Sequence, residues 1–419
     1  MIALILSLFI IGWATQGMTL FDVGRYSFPL ILFAAIPFCL QLNIRSSRFL
    51  MLPIISSIFA VVVGLLDGAQ PSRVASQTFL QCLAIIFAGG VASINWRLHL
   101  DTLAASSVGL GIPIVLYGGY QMVARALHLP FAFLPITNQQ YYIDGGLQRD
   151  WDKAVATRAS SFFSEPSEFG IFCLWLVALG LSRKSGPLQL MALVLGCAGI
   201  FFSQSLSALL GAIALMVVYL FTHRVRTHTI RQLAIVGLVA IVAIGLMRIL
   251  VPEGFDRLTD RVTQAANLDS RADSGRIDHL PAIWRTFSES PIWGHGISSL
   301  AAASSSGSDS TTIGYAMLLM ERGVVGAALF LLPWFTITAK AWLSPITRQG
   351  RSVALLLMVV TLYSFCTLSL TYFLPFWLAL GIAASLVTRP PEESTEQPRI
   401  LHSRGTALRP EYEGPRVRV

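Results

Sequence analysis

The sequence predicts an all-α fold, a polytopic transmembrane helical bundle of about 12 spans, with two long loops on one side of the membrane. Three observations carry this. First, only 12% of the residues are charged and 54% are hydrophobic, whereas a soluble domain carries about 25% charge. Too little charge is present to coat a water-exposed surface of this size. Second, mean hydropathy is +0.66, and the apolar residues come in blocks near the roughly 17–25 residues that cross a hydrocarbon core of about 30 Å. Lipid offers the backbone no hydrogen-bond partners, so such blocks must be helices. Third, the basic residues sort by loop.

Taken in order, the spans fall near 2–18, 27–43, 49–67, 75–95, 102–124, 167–182, 187–203, 205–221, 231–250, 323–342, 352–369 and 371–387. The first, MIALILSLFIIGW, has no basic leader and no small-residue cleavage site, so it reads as a retained span. With the N-terminus cytoplasmic, the loops on that side hold Arg45 and Arg48, Arg97, Arg183 and Lys184, Arg224, Arg226 and Arg231, and Arg348 and Arg351. The opposite short loops hold only Arg25 and Arg73, each near an Asp. This is the positive-inside pattern, and it accounts for the net charge of +8 without a nucleic-acid partner.

Residues 1–387 thus form one membrane domain. Its long outer loops, about 125–166 and 251–322, carry Trp151, Trp284 and Trp293 among apolar runs and are expected to be ordered against the membrane. The tail 388–419, rich in Pro, Glu and Arg, is expected to be disordered and cytoplasmic. The 5 cysteines lie in apolar blocks and form no C-x-x-C pair, so they read as buried thiols.

The residues that can carry chemistry are in these outer loops. The first loop ends in Arg158-Ala-Ser-Ser-Phe-Phe-Ser-Glu165-Pro166-Ser-Glu168. Pro166 fits the first helical position and pushes Glu165 into extended backbone, so Glu165 is the expected N-cap, with Glu168 completing a capping box. Alternatively, Arg158 and a carboxylate face the head group of a lipid-linked anion. The second loop holds Ser274-Gly275-Arg276, Asp278, His279, Trp284, Arg285 and then Pro291-Ile-Trp293-Gly294-His295-Gly296. Arg donates in a planar fork suited to phosphate. His can exchange a proton near neutral pH, but His295 also reads as a turn residue and the tryptophans as interfacial anchors. Glu321 and Arg322 stand where an outer helix should meet the membrane, either as an interfacial ion pair or as ligands.

These segments resemble the O-antigen polymerase and ligase superfamily. Arg158 to Pro166 resembles the R-x-S-S-F-F-x-E-P segment of its exopolysaccharide polymerase branch. Ser274-Gly275-Arg276, then Pro291 and Gly294-His295-Gly296, is similar to its S-G-R…P-x-x-G-x-G segment, and Glu321-Arg322-Gly323-Val-Val-Gly326 to its E-x-G-x-x-G pattern. Arg285 and Gly296 also stand at an R-x10-G polymerase spacing. The ligase branch has a His nine residues before that Glu, where this chain has Thr312.

The resemblance implies a glycosyltransferase of the bacterial inner membrane. It would polymerise undecaprenyl-diphosphate-linked oligosaccharide units into O-antigen, capsule or exopolysaccharide at the periplasmic face, alongside a flippase and a chain-length regulator. Arg158 and Arg276, with Arg285 in reserve and Glu321 and Arg322 nearby, would bind substrate. Glu165 and His295 are the candidate bases. No cofactor and no metal are expected. The rivals are a ligase-type transferase and, from another class, a secondary transporter or export component. Against transport, the spans carry few central ionisable groups; Gln77, Gln81 and Gln204 are their main polar insertions.

Overall fold

The computed structural model describes residues 1–15, 19–23, 26–44, 47–127, 129–130, 158–163, 165–183, 186–222, 280–297, 299, 314–343, 347–365 and 373–388, with isolated helical positions between 234 and 263. Its helices are α1 (Ile2–Ala14), α2 (Leu30–Cys39), α3 (Met51–Leu66), α4 (Pro71–Ser93), α5 (Leu100–Ala126), α6 (Pro166–Ser182) and α7 (Pro187–Ser203). They continue with α8 (Leu206–Thr222), α9 (Leu280–Glu289), α10 (Gly314–Leu343), α11 (Arg348–Ser364) and α12 (Leu374–Thr388). Every expected span except the ninth, 231–250, has a helix in its place; that span lies mostly outside the described residues, and the tail beyond 388 wholly so.

Among the described residues, four stretches, Arg48–Leu66, Pro71–Ser93, Leu100–Arg125 and Gly314–Leu343, are long and apolar enough to cross a membrane. The other apolar helices are 10–17 residues long, at most about 25 Å at 1.5 Å per residue.

The expected helical bundle stands, though the described residues are not helical throughout and one expectation needs correction. Thr19–Val23 pairs antiparallel with Tyr26–Pro29 in a short hairpin (β1, β2). Its Phe, Val, Tyr and Thr residues favour extended backbone, and β2 takes the first residues of the second expected span, so that α2 begins at Leu30. Nor are all the thiols buried. Cys173 is, Cys39 and Cys197 are half-buried, Cys82 is exposed, and Cys366 lies outside the described residues.

The bundle has two distinguishable ends. At one, Arg183 after α6 donates to Asp101 at the start of α5 over 2.7 Å, and Arg97 before α5 donates to the Leu386 carbonyl near the end of α12 over 3.1 Å. Loops assigned to one side by their arginines therefore meet there. At the other end are the ends of α3, α5, α7 and α11, together with the start of α6.

The centre of the bundle is α6 and α12. Both are buried along their whole length, as helices apolar on every face must be. Helix α6 packs on α5, α7, α8 and α11, and α12 on α4, α10 and α11. Helix α3 is two-faced. Ile55, Ile58, Val62 and Leu65 are exposed, while Ser56, Ala60 and Gly64 form a buried small-residue stripe against α10. Such stripes let backbones approach closely in lipid.

Candidate functional site

Residues 158–163 form a tight loop seated between α5 and the α7–α8 turn, ahead of Glu165. Gln121 of α5 holds Ser161 twice, accepting from its N–H at 2.7 Å and donating to its carbonyl at 3.2 Å. The Ser161 hydroxyl donates to the Ile114 carbonyl at 2.6 Å. These bonds hold Ser161 at φ 54°, a left-handed conformation uncommon for serine. Phe162 stacks on Tyr117 at 4.7 Å. Phe163 is fully buried against Trp13, Phe169 and Phe172.

The two charged residues stand at the ends of this loop. The Arg158 carbonyl accepts from Arg125, and Arg158 Nε donates to the Ser203 carbonyl at 3.3 Å, where Gln204 turns the chain at φ 44°. Glu165 occupies the N-cap of α6 with extended backbone, as Pro166 requires, yet its side chain makes no capping bond. It instead accepts from the Ser167 hydroxyl at 2.9 Å. Glu168, in the first turn, is buried.

The other two motifs interlock. The turn 290–297 lies between the outer part of α3 and the kink of α10. His295 N–H donates to the Met320 carbonyl at 2.9 Å, Gly296 N–H to the Glu321 carbonyl at 2.7 Å, and Ile297 N–H to the Ala60 carbonyl at 3.0 Å. In return, Val324 N–H donates to the Pro291 carbonyl at 2.9 Å. The fit needs glycine. Gly296 sits at φ +80° against the Gly64 backbone, with the Ala60 carbonyl 2.7 Å from where a Cβ would stand. Gly323 breaks α10 at φ +61° and abuts the Ile292 carbonyl.

Glu321 and Arg322 are both buried within the bundle, Arg322 completely. The guanidinium donates to Ser56 at 3.0 Å and to Ser57 at 3.3 Å, and its Cζ lies 4.6 Å from the Phe330 ring centroid. Ser56 in turn donates to the Gly326 carbonyl at 2.7 Å. The sequence shows the two adjacent charges but not their depth, because α10 breaks at Gly323 where it abuts the Ile292 carbonyl of a turn distant in sequence. Residues 324–343 alone give about 30 Å of helix, a full crossing, so the kink marks one end of that span.

Arg322 thus ties α10 to α3. Arg322→Ala leaves Glu321 buried without its neighbouring positive charge and should cost about 3–5 kcal/mol. Ser56→Ala should cost only about 1 kcal/mol. Thermal unfolding of the purified variants checks both.

Of the remaining candidates, Arg285 and Trp284 are exposed on α9, whose opposite face packs Ile283 and Phe287 toward α10. Trp293 is exposed and lies 5.5 Å from Phe59 of α3, ring to ring. Arg276, Asp278, His279, Thr312 and Trp151 lie outside the described residues. A run of rings links the two clusters. It passes from Phe163 through Trp13, Phe373, Phe376 and Phe365 to Phe330, beneath Arg322. Asp67, described below, and the Ser203–Ser205 turn escaped the sequence reading; Gln204 as a polar insertion is the one signal that marked the latter.

Fold and site together define a multi-pass helical membrane protein whose charged motif residues gather at one end of the bundle. Residues 191–331 match a family model described as O-antigen ligase. The match includes the interlocked turn and kink. No curated protein and no solved structure matches the chain.

Proposed function

We propose that the protein is a polysaccharide polymerase of the bacterial inner membrane, acting at the periplasmic face on undecaprenyl-diphosphate-linked repeat units. The observation that supports this best is that the 158–166 loop, the 291–296 turn and the 321–326 kink all lie at one end of the bundle, opposite the end where Arg97 and Arg183 are bound. That is where a lipid-linked donor presents its diphosphate.

A sugar hydroxyl of one lipid-linked unit attacks the anomeric carbon of the growing chain. The new C–O bond forms as the bond to the diphosphate breaks, and undecaprenyl diphosphate leaves with the electron pair. Arg158 and Arg276, with Arg285 near the rim, offset the charge that develops there. Pre-organised charge of this kind is commonly the largest catalytic contribution. Glu165 takes the hydroxyl proton. Both ring nitrogens of His295 already face oxygen atoms, which favours Glu165 over His295 as base.

A ligase-type transferase is the second reading, favoured by the description of the matching family model. Thr312, where the ligase branch has its histidine, weighs against it. A deletion strain complemented with this chain separates the readings: a polymerase restores long chains built from single units, and a ligase restores only their transfer to an acceptor. A transporter would form no glycosidic bond in purified form. Because arginines carry the charge on the leaving group in this scheme, turnover by washed, purified protein should persist in excess EDTA. Loss of turnover that a divalent ion restores would contradict that part.

A further inference from the structure

We infer that Asp67 is a positioning residue of the transferase site, orienting the His295 ring and with it the Gly294-His295-Gly296 turn. This rests on the transferase reading above.

His295 is flanked by glycines at φ +72° and +80°, so its own backbone does little to fix the ring. The ring is fixed instead from both sides. Nδ1 lies 3.0 Å from Asp67 Oδ2, and Nε2 lies 2.8 Å from the Thr286 carbonyl of α9. A carbonyl only accepts, so Nε2 carries a proton and donates. The Asp67 carboxylate holds the ring from the Nδ1 side, so the two contacts together fix its rotation and, through it, the glycine-flanked turn. Asp67 is 52% exposed and the His295 side chain 15%, so the pair lies at the rim of the turn, open on the acid's side.

Asp67 is itself rigidly placed. It caps α3, its N–H donating to the Val63 carbonyl at 2.8 Å. Gly68 follows at φ +80°, and Ala69 N–H returns to the Gly64 carbonyl at 2.9 Å. This is a Schellman-type stop. The same Gly64 meets Gly296, so one helix end supports both the backbone and the histidine of the turn. A site built on a helix end holds geometry better than one left to a loop.

The test uses the full chain purified into lipid vesicles with lipid-linked repeat units. Asp67→Ala should lower kcat about a hundredfold with little change in KM, the scale of effect that misplacement by about an ångström produces. Asp67→Asn should keep most activity, because its amide can still meet Nδ1. Asp67→Ala with His295→Ala should be no worse than the poorer single variant, in kcat and in thermal midpoint alike. The inference is overturned if Asp67→Ala lowers only the midpoint and leaves kcat per folded molecule intact, or if the two substitutions multiply. Wild type that forms no polymer would instead sink the polymerase reading and this test of Asp67 with it, while coupled midpoints would still register the contact.

Discussion

Arg158→Ala and Arg276→Ala, each expressed in a deletion strain at membrane levels matched to wild type, are expected to leave single repeat units where wild type gives long chains. Removing one pre-organised donor from a developing negative charge costs about 10²–10³ in rate. A polymerase that must act many times per chain converts such a loss into an almost complete loss of length. Arg158 is the better-grounded of the two, since its carbonyl is held by Arg125 and its Nε by the Ser203 carbonyl. Lysine at 158 should recover only part of the length, because an ammonium lacks the planar fork. Long chains from both alanine variants would remove both residues from the site.

Gly296→Ala is expected to be among the most damaging single changes in the chain. Gly68 provides the control, because both glycines have φ +80°. At Gly68 nothing lies within 4 Å of an added Cβ, so alanine there pays only the backbone cost, about 1–2 kcal/mol. At Gly296 the Cβ would meet the Gly64 backbone and the Ala60 carbonyl, neither of which can rotate aside. The turn must leave α3, giving up its bonds to Ala60, Met320 and Glu321. Activity should vanish at 296 and survive at 68. Limited proteolysis from the outer side should cut near residue 295 only in the Gly296 variant. Equal stability of the two variants would mean that the turn does not dock on α3.

Hydropathy found the apolar helices among the described residues, because lipid acts on composition over a whole block. It could not find β1 and β2, which lie mostly in the short stretch 19–26 that hydropathy leaves between the first two expected spans. The N-cap at Glu165 was legible, since Pro166 acts on its immediate neighbour. The missing capping bond was not, because Ser167 competes for the carboxylate. Much of the Arg158–Pro166 motif proves to be scaffold: Ser161, Phe162 and Phe163 hold the loop to α5 and α1. The second cluster depends on partners far apart in the chain. Asp67 and His295 are 228 residues apart, and Ser56 and Arg322 are 266 apart. No local spacing encodes such pairs, so the sequence offered His295 and Arg322 as separate candidates without the helix that holds them both.

The central claim is that this chain itself joins lipid-linked repeat units. The most direct measurement is to reconstitute the purified protein in vesicles with undecaprenyl-diphosphate-linked units as the sole substrate, then resolve the products by length and measure released undecaprenyl diphosphate. The account predicts a ladder of multiples of the unit, with one undecaprenyl diphosphate released for each linkage formed. Units that stay single in an active preparation, and are transferred only when a lipid acceptor of another kind is added, would contradict it.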